Sequence, residues 1–206
     1  MRSYAQHGQD TFIFNVFFKD LDRQGTFVDV GAYDGVTFSN TFFFERHLGW
    51  SGICIEPLPS VFEVLQANRS SVCLNCAVFD HEGVAEFVDV DMPNFGKMYS
   101  GLRASYDPRH ADIIRARASA ACVIQIPARR LPSILDEYRL SRIDYLSIDT
   151  EGSELKILKD LDLGRYDVHL TSVENNYNDT SIQGYLHGHG YRRVNTFAGF
   201  DQPYAR

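Results

Sequence analysis

Four short apolar runs in this 206-residue chain end in acidic side chains or in glycine. Thr26-Phe27-Val28 runs into Asp29-Val30-Gly31-Ala32-Tyr33-Asp34-Gly35, and Gly52-Ile53-Cys54-Ile55 closes on Glu56. Ile143 to Ile148 leads to Asp149-Thr150-Glu151-Gly152, and His169 to Val173 leads to Glu174. Gly31 and Gly35 at a strand-to-helix turn would let the backbone approach a ligand where a side chain would collide. Glu56 follows Gly31 by about 25 residues, near the spacing at which an acid accepts hydrogen bonds from both hydroxyls of a ribose. The reading is an adenosine-like ligand.

Its remaining groups follow from charge. A G-x-G-x-x-G pattern would cradle a pyrophosphate, but Tyr33 stands where its middle glycine belongs. Asp29 and Asp34 would also repel phosphate, whereas two acids suit a cation. S-adenosylmethionine, with ribose, ammonium and sulfonium, matches this pattern better than a dinucleotide does.

Asp149, Glu151 and Glu174 end neighbouring strands and are the candidate catalytic groups. Transfer to an alcohol needs help in removing its proton, from a base or from a metal ion. Asp149 alone suits a base. The three carboxylates together equally suit Mg²⁺ or Mn²⁺, which take oxygen ligands, and both possibilities stay open here. In the bland alternative, Glu151 and Glu154 merely complement a helix dipole. His81 and His110 titrate in the right range to act as bases, although a lone loop histidine is commonly just solvated.

These residues need a scaffold. Strands are predicted at 26–30, 52–56, 72–78, 84–90, 122–126, 143–148 and 169–174. Helices are predicted over 36–48, ending at Gly49, from a Ser60/Glu63 capping box, over 132–138 and over 153–161. Residues 191–200 are expected to end the chain in an antiparallel pair. Alternation of this kind predicts an α/β fold with a mostly parallel sheet and helices on both faces, its ligand at the carboxyl ends of the strands. Residues 91–121 are broken by Pro93, Gly96, Gly101 and Pro108. They are expected to form a substrate-side lid. Trp50 and Phe42 to Phe44 read as core aromatics.

Composition narrows the class. The chain is 44% hydrophobic with net charge −7, which excludes disorder and makes nucleic acid a poor default partner. Residues 97–130 are a local exception, with Lys97 and six arginines against Asp107 and Asp112. No apolar run is long enough to span a bilayer, and Met1 to His7 lacks the apolar core of a signal peptide. A cytoplasmic single domain over 1–206 is expected. Cys54, Cys73, Cys76 and Cys122 read as core thiols in a reducing compartment.

Several blocks now carry a specific likeness. Tyr4-Ala5-Gln6-His7-Gly8-Gln9-Asp10, Phe27 to Gly35, Ser39-Asn40-Thr41, Gly49 to Pro57, Ser100-Gly101-Leu102 and Ile143 to Glu154 resemble, in the same order, the FkbM-type methyltransferases. The resemblance implies a Rossmann-like class I methyltransferase fold and S-adenosylmethionine as cofactor. It also implies cofactor contacts by Gln6, Gln9, Ser39, Asn40 and Ala77, beside Asp29, Gly31, Asp34, Gly35 and Glu56. The expected reaction is O-methylation of a sugar or glycan acceptor, with a small-molecule product, a lipid, an amine or a non-catalytic nucleoside-binding role as alternatives. The size suits a stand-alone enzyme or a domain of a larger glycan-modifying polypeptide. Tyr33 departs from the asparagine common in the family, and 91–121 matches poorly.

Overall fold

The computed structural model describes residues 2–206. The strands are β1 (Thr26–Val30), β2 (Ser51–Ile55), β3 (Val72–Leu74), β4 (Ala77–Phe79), β5 (Gly83–Asp91), β6 (Gly101–Leu102), β7 (Ala120–Arg130), β8 (Arg142–Ile148), β9 (Asp167–Glu174), β10 (Arg192–Arg193) and β11 (Asp201–Ala205). The helices are α1 (Gln9–Ile13), α2 (Phe42–Leu48), α3 (Pro59–Asn68), α4 (Pro108–Arg117), α5 (Leu131–Glu137), α6 (Glu154–Asp160) and α7 (Thr180–Gly188). Seven strands form one sheet in the order β10-β11-β9-β8-β1-β2-β3. The five from β9 to β3 run parallel, and β11 joins β9 antiparallel. Strand order reverses between β1 and β8, where a doubly wound sheet opens a crevice at its carboxyl edge.

Alternation along the strands splits the core. Val28, Val30, Ile53, Ile55, Leu146 and Ile148 point to one face and bury α5, α6 and α7. Phe27, Cys54 and Tyr145 point to the other, against α1, α2 and Trp50. Burial on both faces explains why these strands read as near-continuous apolar runs. Phe43, Phe44 and Trp50 are core residues, as expected.

The structure corrects several expectations. Residues 72–78 are two strands in two sheets, and β5 pairs antiparallel with β7. Together β4, β7, β5 and β6 make a second, four-stranded sheet. A helix does not begin at Val36: Phe38 has φ 57, and α2 starts at Phe42. Ser60 does not cap α3, whose first turn holds Pro59 and whose Leu58 amide donates to Glu56 instead. The C-terminal pair joins 192–193 to 204–205, beyond the range expected. Of the cysteines, Cys54 and Cys76 are buried, but Cys73 is half-buried and Cys122 exposed, because the first residues of β7 are exposed on both faces.

Candidate active site

The carboxyl ends of β1, β2, β8 and β9 surround a cavity of about 390 Å³. Gln6, Gln9, Asp29, Gly31, Ser39, Asn40, Glu56, Ala77, Asp149, Glu151 and Glu174 all line it. Asp34 and Gly35 do not. The Asp34 carboxylate turns back on its own loop and accepts from the amides of Val36 and Thr37 and from the Thr37 hydroxyl. Gly35, at φ 81, is needed for packing, since a Cβ there would lie 2.7 Å from Arg69 and Leu65 side-chain carbons. Gly31 also has a different reason from the one expected. At φ 86, its missing Cβ would lie 1.7 Å from the carbonyl oxygen of Asp149, so the close approach is between β1 and β8 backbones.

Glu56 is held from both sides. The Leu58 amide donates to Oε1 at 2.9 Å and the Tyr33 amide to Oε2 at 3.1 Å. Each oxygen keeps a second lone pair for a ligand. Burial pushes this carboxyl up to about 8. Asp29 accepts from Thr41 Oγ1 at 2.5 Å, and Arg69 lies behind it at 3.8 Å. Burial raises the Asp29 pKa, and the Arg69 charge opposes that rise. Arg69 is fully buried and also donates to Glu45, Thr41 and the Gly35 carbonyl, locking the 31–41 loop. Asn40 donates to Ser147 Oγ at 3.1 Å, while its Oδ1 is buried without a partner. That free acceptor at the cavity wall suits a donor group on a ligand.

Asp149, Glu151 and Glu174 offer carboxylate oxygens that all lie within 4.8 Å of one another. Burial, then the nearby Asp201 charge, pushes Asp149 up to about 7. Burial and their shared negative charge hold Glu151 and Glu174 well above the usual carboxylate range, and Glu174 hydrogen-bonds Asp149. Such repulsion is relieved either by protons or by a cation. Glu151 has φ 59, a left-handed backbone that an ordinary side chain adopts at a cost. Glu154 organises this turn by accepting from the Thr150 amide and hydroxyl and from the Gly152 amide, so its role is the loop rather than a helix dipole.

Sequence reasoning missed four contributors. Asp201 pairs in register with Glu174, accepts from the Gln9 amide, and is pushed by burial up to about 6. Arg69 gave no sequence signal, being a lone arginine at a helix end. Asn176 and Tyr177 follow β9, and Asn176 donates to Glu151 at 3.3 Å. A second cavity of about 360 Å³ opens on their side, and Glu151 and Glu174 border both spaces.

Segment 91–121 covers the site with β6 and α4. His110 reaches the cavity, with burial lowering its pKa, whereas His81 lies exposed beside Asp80. The basic side chains of 97–130 are mostly neutralised: Lys97 pairs with Asp89, Arg103 with Glu86, Arg109 with Asp107 and Arg115 with Asp112.

The model of the methyltransferase FkbM domain matches residues 29–193. The chain belongs to the FkbM methyltransferase family. S-adenosylmethionine is therefore its cofactor, and the sheet is that of class I methyltransferases. Among solved structures, an FkbM methyltransferase from Methylobacillus flagellatus KT is similar at 16% identity and TM-score 0.52, over 93% of this chain and 46% of that one. The N-terminal domain of human METTL16 is similar at 12% identity and TM-score 0.52, over 96% of this chain and 67% of that one. This FkbM-family chain thus spans about half the length of the bacterial relative. A comparison with the curated proteins gave no match. Among the described residues, no helix is long and apolar enough to cross a membrane.

Proposed function

We propose that the chain is an O-methyltransferase that moves the methyl group of S-adenosylmethionine to a sugar hydroxyl, a deoxyhexose of a glycan or glycoconjugate. One observation carries the reading: within the Asp149–Glu151–Glu174 cluster, Asp149 lines the cavity suited to the nucleoside, and Glu151 and Glu174 border both it and a second cavity open to an acceptor. In this reading Glu56 accepts from the ribose hydroxyls, and Asp29, Gln9 and Asn40 meet the amino-acid end. S-adenosylmethionine supplies a methyl carbon on a positively charged sulfur. Asp149, tuned near neutrality, takes the proton of the acceptor hydroxyl while the cavity walls hold oxygen and methyl in line. Mg²⁺ or Mn²⁺ fits the same three oxygen donors, and such an ion would acidify a bound hydroxyl.

The second cavity supports an uncharged polyol. Tyr106 and Tyr177 offer ring faces, Asn176 an amide, and Glu151, Glu174 and Asp179 carboxyl oxygens. Its one arginine, Arg109, is paired with Asp107 and stacked over Tyr177 at 4.2 Å. A polyphosphate chain would find no unpaired cation there, which is the reason to place nucleic acid second. Incubation with S-adenosylmethionine, a panel of sugar glycosides and short oligoribonucleotides, read by mass spectrometry, tests this. A glycoside heavier by one methyl group is expected. Methylation of an oligoribonucleotide alone refutes the sugar assignment.

A further inference from the structure

His110 is the one side chain of α4 that enters the acid cluster. It is 2% exposed, and its ring lies between those of Tyr106, stacked at 4.6 Å, and Tyr99 at 5.4 Å. Both ring nitrogens face oxygens. Nε2 is 3.1 Å from the Tyr99 carbonyl, which can only accept, so Nε2 carries the hydrogen. Nδ1 is then an acceptor 3.4 Å from Glu151 Oε2, and the Glu151 carboxyl, which burial keeps protonated, faces it as the donor. The same oxygen receives Asn176 Nδ2 from the opposite wall at 3.3 Å. Glu151 needs such holding, because its left-handed φ of 59 between Thr150 and Gly152 is a conformation its surroundings must enforce. Gly101 of β6 leaves room for this turn, since a Cβ there would lie 3.3 Å from the Glu151 Cβ and 2.7 Å from the Tyr106 ring.

We propose that His110 is a positioning residue: through Nδ1 it fixes the Glu151 carboxyl against Asp149 and Glu174. Segment 91–121 is thereby a component of the reaction centre and not only a cover. A buried imidazole oriented by a carbonyl on one nitrogen and aimed at a carboxyl by the other is the arrangement that fixes ring direction in other polar sites. The inference rests on the methyl-transfer reading above.

Two conservative variants separate the two nitrogens. The amide of His110→Asn falls where Nδ1 lies and keeps the Glu151 contact. That of His110→Gln falls near Nε2 and keeps the Tyr99 contact. With a glycoside acceptor, His110→Asn is expected to retain kcat within about threefold, and His110→Gln to lose about 10- to 100-fold, the scale of a displaced reacting group. S-adenosylhomocysteine affinity should not change in either. In a Glu151→Gln background, His110→Gln should cost nothing further. Loss confined to His110→Asn, or equal loss in both, makes the histidine structural and overturns the proposal. A readout independent of turnover is ¹⁵N NMR of the histidine ring. Glu151→Gln should move the His110 Nδ1 resonance and leave Nε2 nearly in place, and an unmoved Nδ1 also overturns the proposal. Wild-type protein that methylates no acceptor, yet shows the Nδ1 shift, would instead count against the methyl-transfer reading alone.

Discussion

Exchange of Glu56 for glutamine probes how the nucleoside is held. In the free protein burial pushes this carboxyl up to about 8, so at neutral pH it is mostly protonated. Ribose hydroxyls donate best to the ionised form, and a ligand that selects that form pays for its scarcity. At pH 7 the ionised fraction is about one in eleven, and at pH 8.5 it is about three in four. Binding of S-adenosylhomocysteine should therefore tighten about eightfold between these two pH values. Glu56→Gln removes both the charge and this dependence. It also turns an amide N–H toward Tyr33 or Leu58, whose own N–H groups now find an acceptor in Glu56. A lost charge-assisted hydrogen bond is worth about 1.5–3 kcal/mol, which predicts roughly 10- to 150-fold weaker binding at pH 8.5. The gap should narrow at pH 7. Isothermal titration calorimetry at pH 6.5, 7, 7.5, 8 and 8.5 on both proteins provides the measurement. Asp149 and Asp201 also titrate beside this cavity, but both persist in the variant, so the difference between the curves belongs to Glu56. Wild-type affinity that is flat from pH 7 to 8.5, or a variant with the same slope, would refute the reasoning.

Other outcomes follow from the same site. Asp149→Asn should lower kcat by about 10²- to 10⁴-fold, the range for a removed general base, while S-adenosylhomocysteine still binds by calorimetry. The cofactor-free protein should melt at progressively lower temperature as pH rises from 6 to 8. Folding raises the pKa of Asp201 to about 6, Asp149 to about 7 and Glu56 to about 8, so their stabilisation is complete at acid pH and is lost as each ionises. Added Mn²⁺ should restore part of that loss at pH 8, and no thermal shift there would remove the metal from the Asp149–Glu151–Glu174 cluster. Gly31→Ala should destabilise by more than about 4 kcal/mol in urea unfolding, since its Cβ would overlap the Asp149 carbonyl at 1.7 Å and φ 86 disfavours any side chain.

Much of this was legible in the residues. Apolar runs buried on both faces revealed the parallel strands, and acids or glycine at their ends marked the edge where the cavity opens. Asp29, Glu56, Asp149, Glu151 and Glu174 all reached it because a strand-end residue is carried there by the sheet itself. Segments whose direction depends on distant partners were less readable. Residues 72–78 look like one strand, yet β3 and β4 serve different sheets. Asp34 has the right charge and neighbourhood for a ligand, but a local turn of amides claims its carboxylate.

The sequence by itself therefore determined the sheet, the family and the carboxylates, because each depends on local pattern: alternation, turn glycines and strand ends. Only the tertiary structure decided which of these groups act together. Arg69 lies 40 residues from Asp29 along the chain and becomes its buried counter-charge through the packing of α3. Asp201 joins the cavity because β11 pairs with β9 beside Glu174. His110 meets Glu151 because α4 folds back across the site. These contacts join residues far apart in the chain, and burial at the cavity they build raises the pKa values of Asp149 and Asp201.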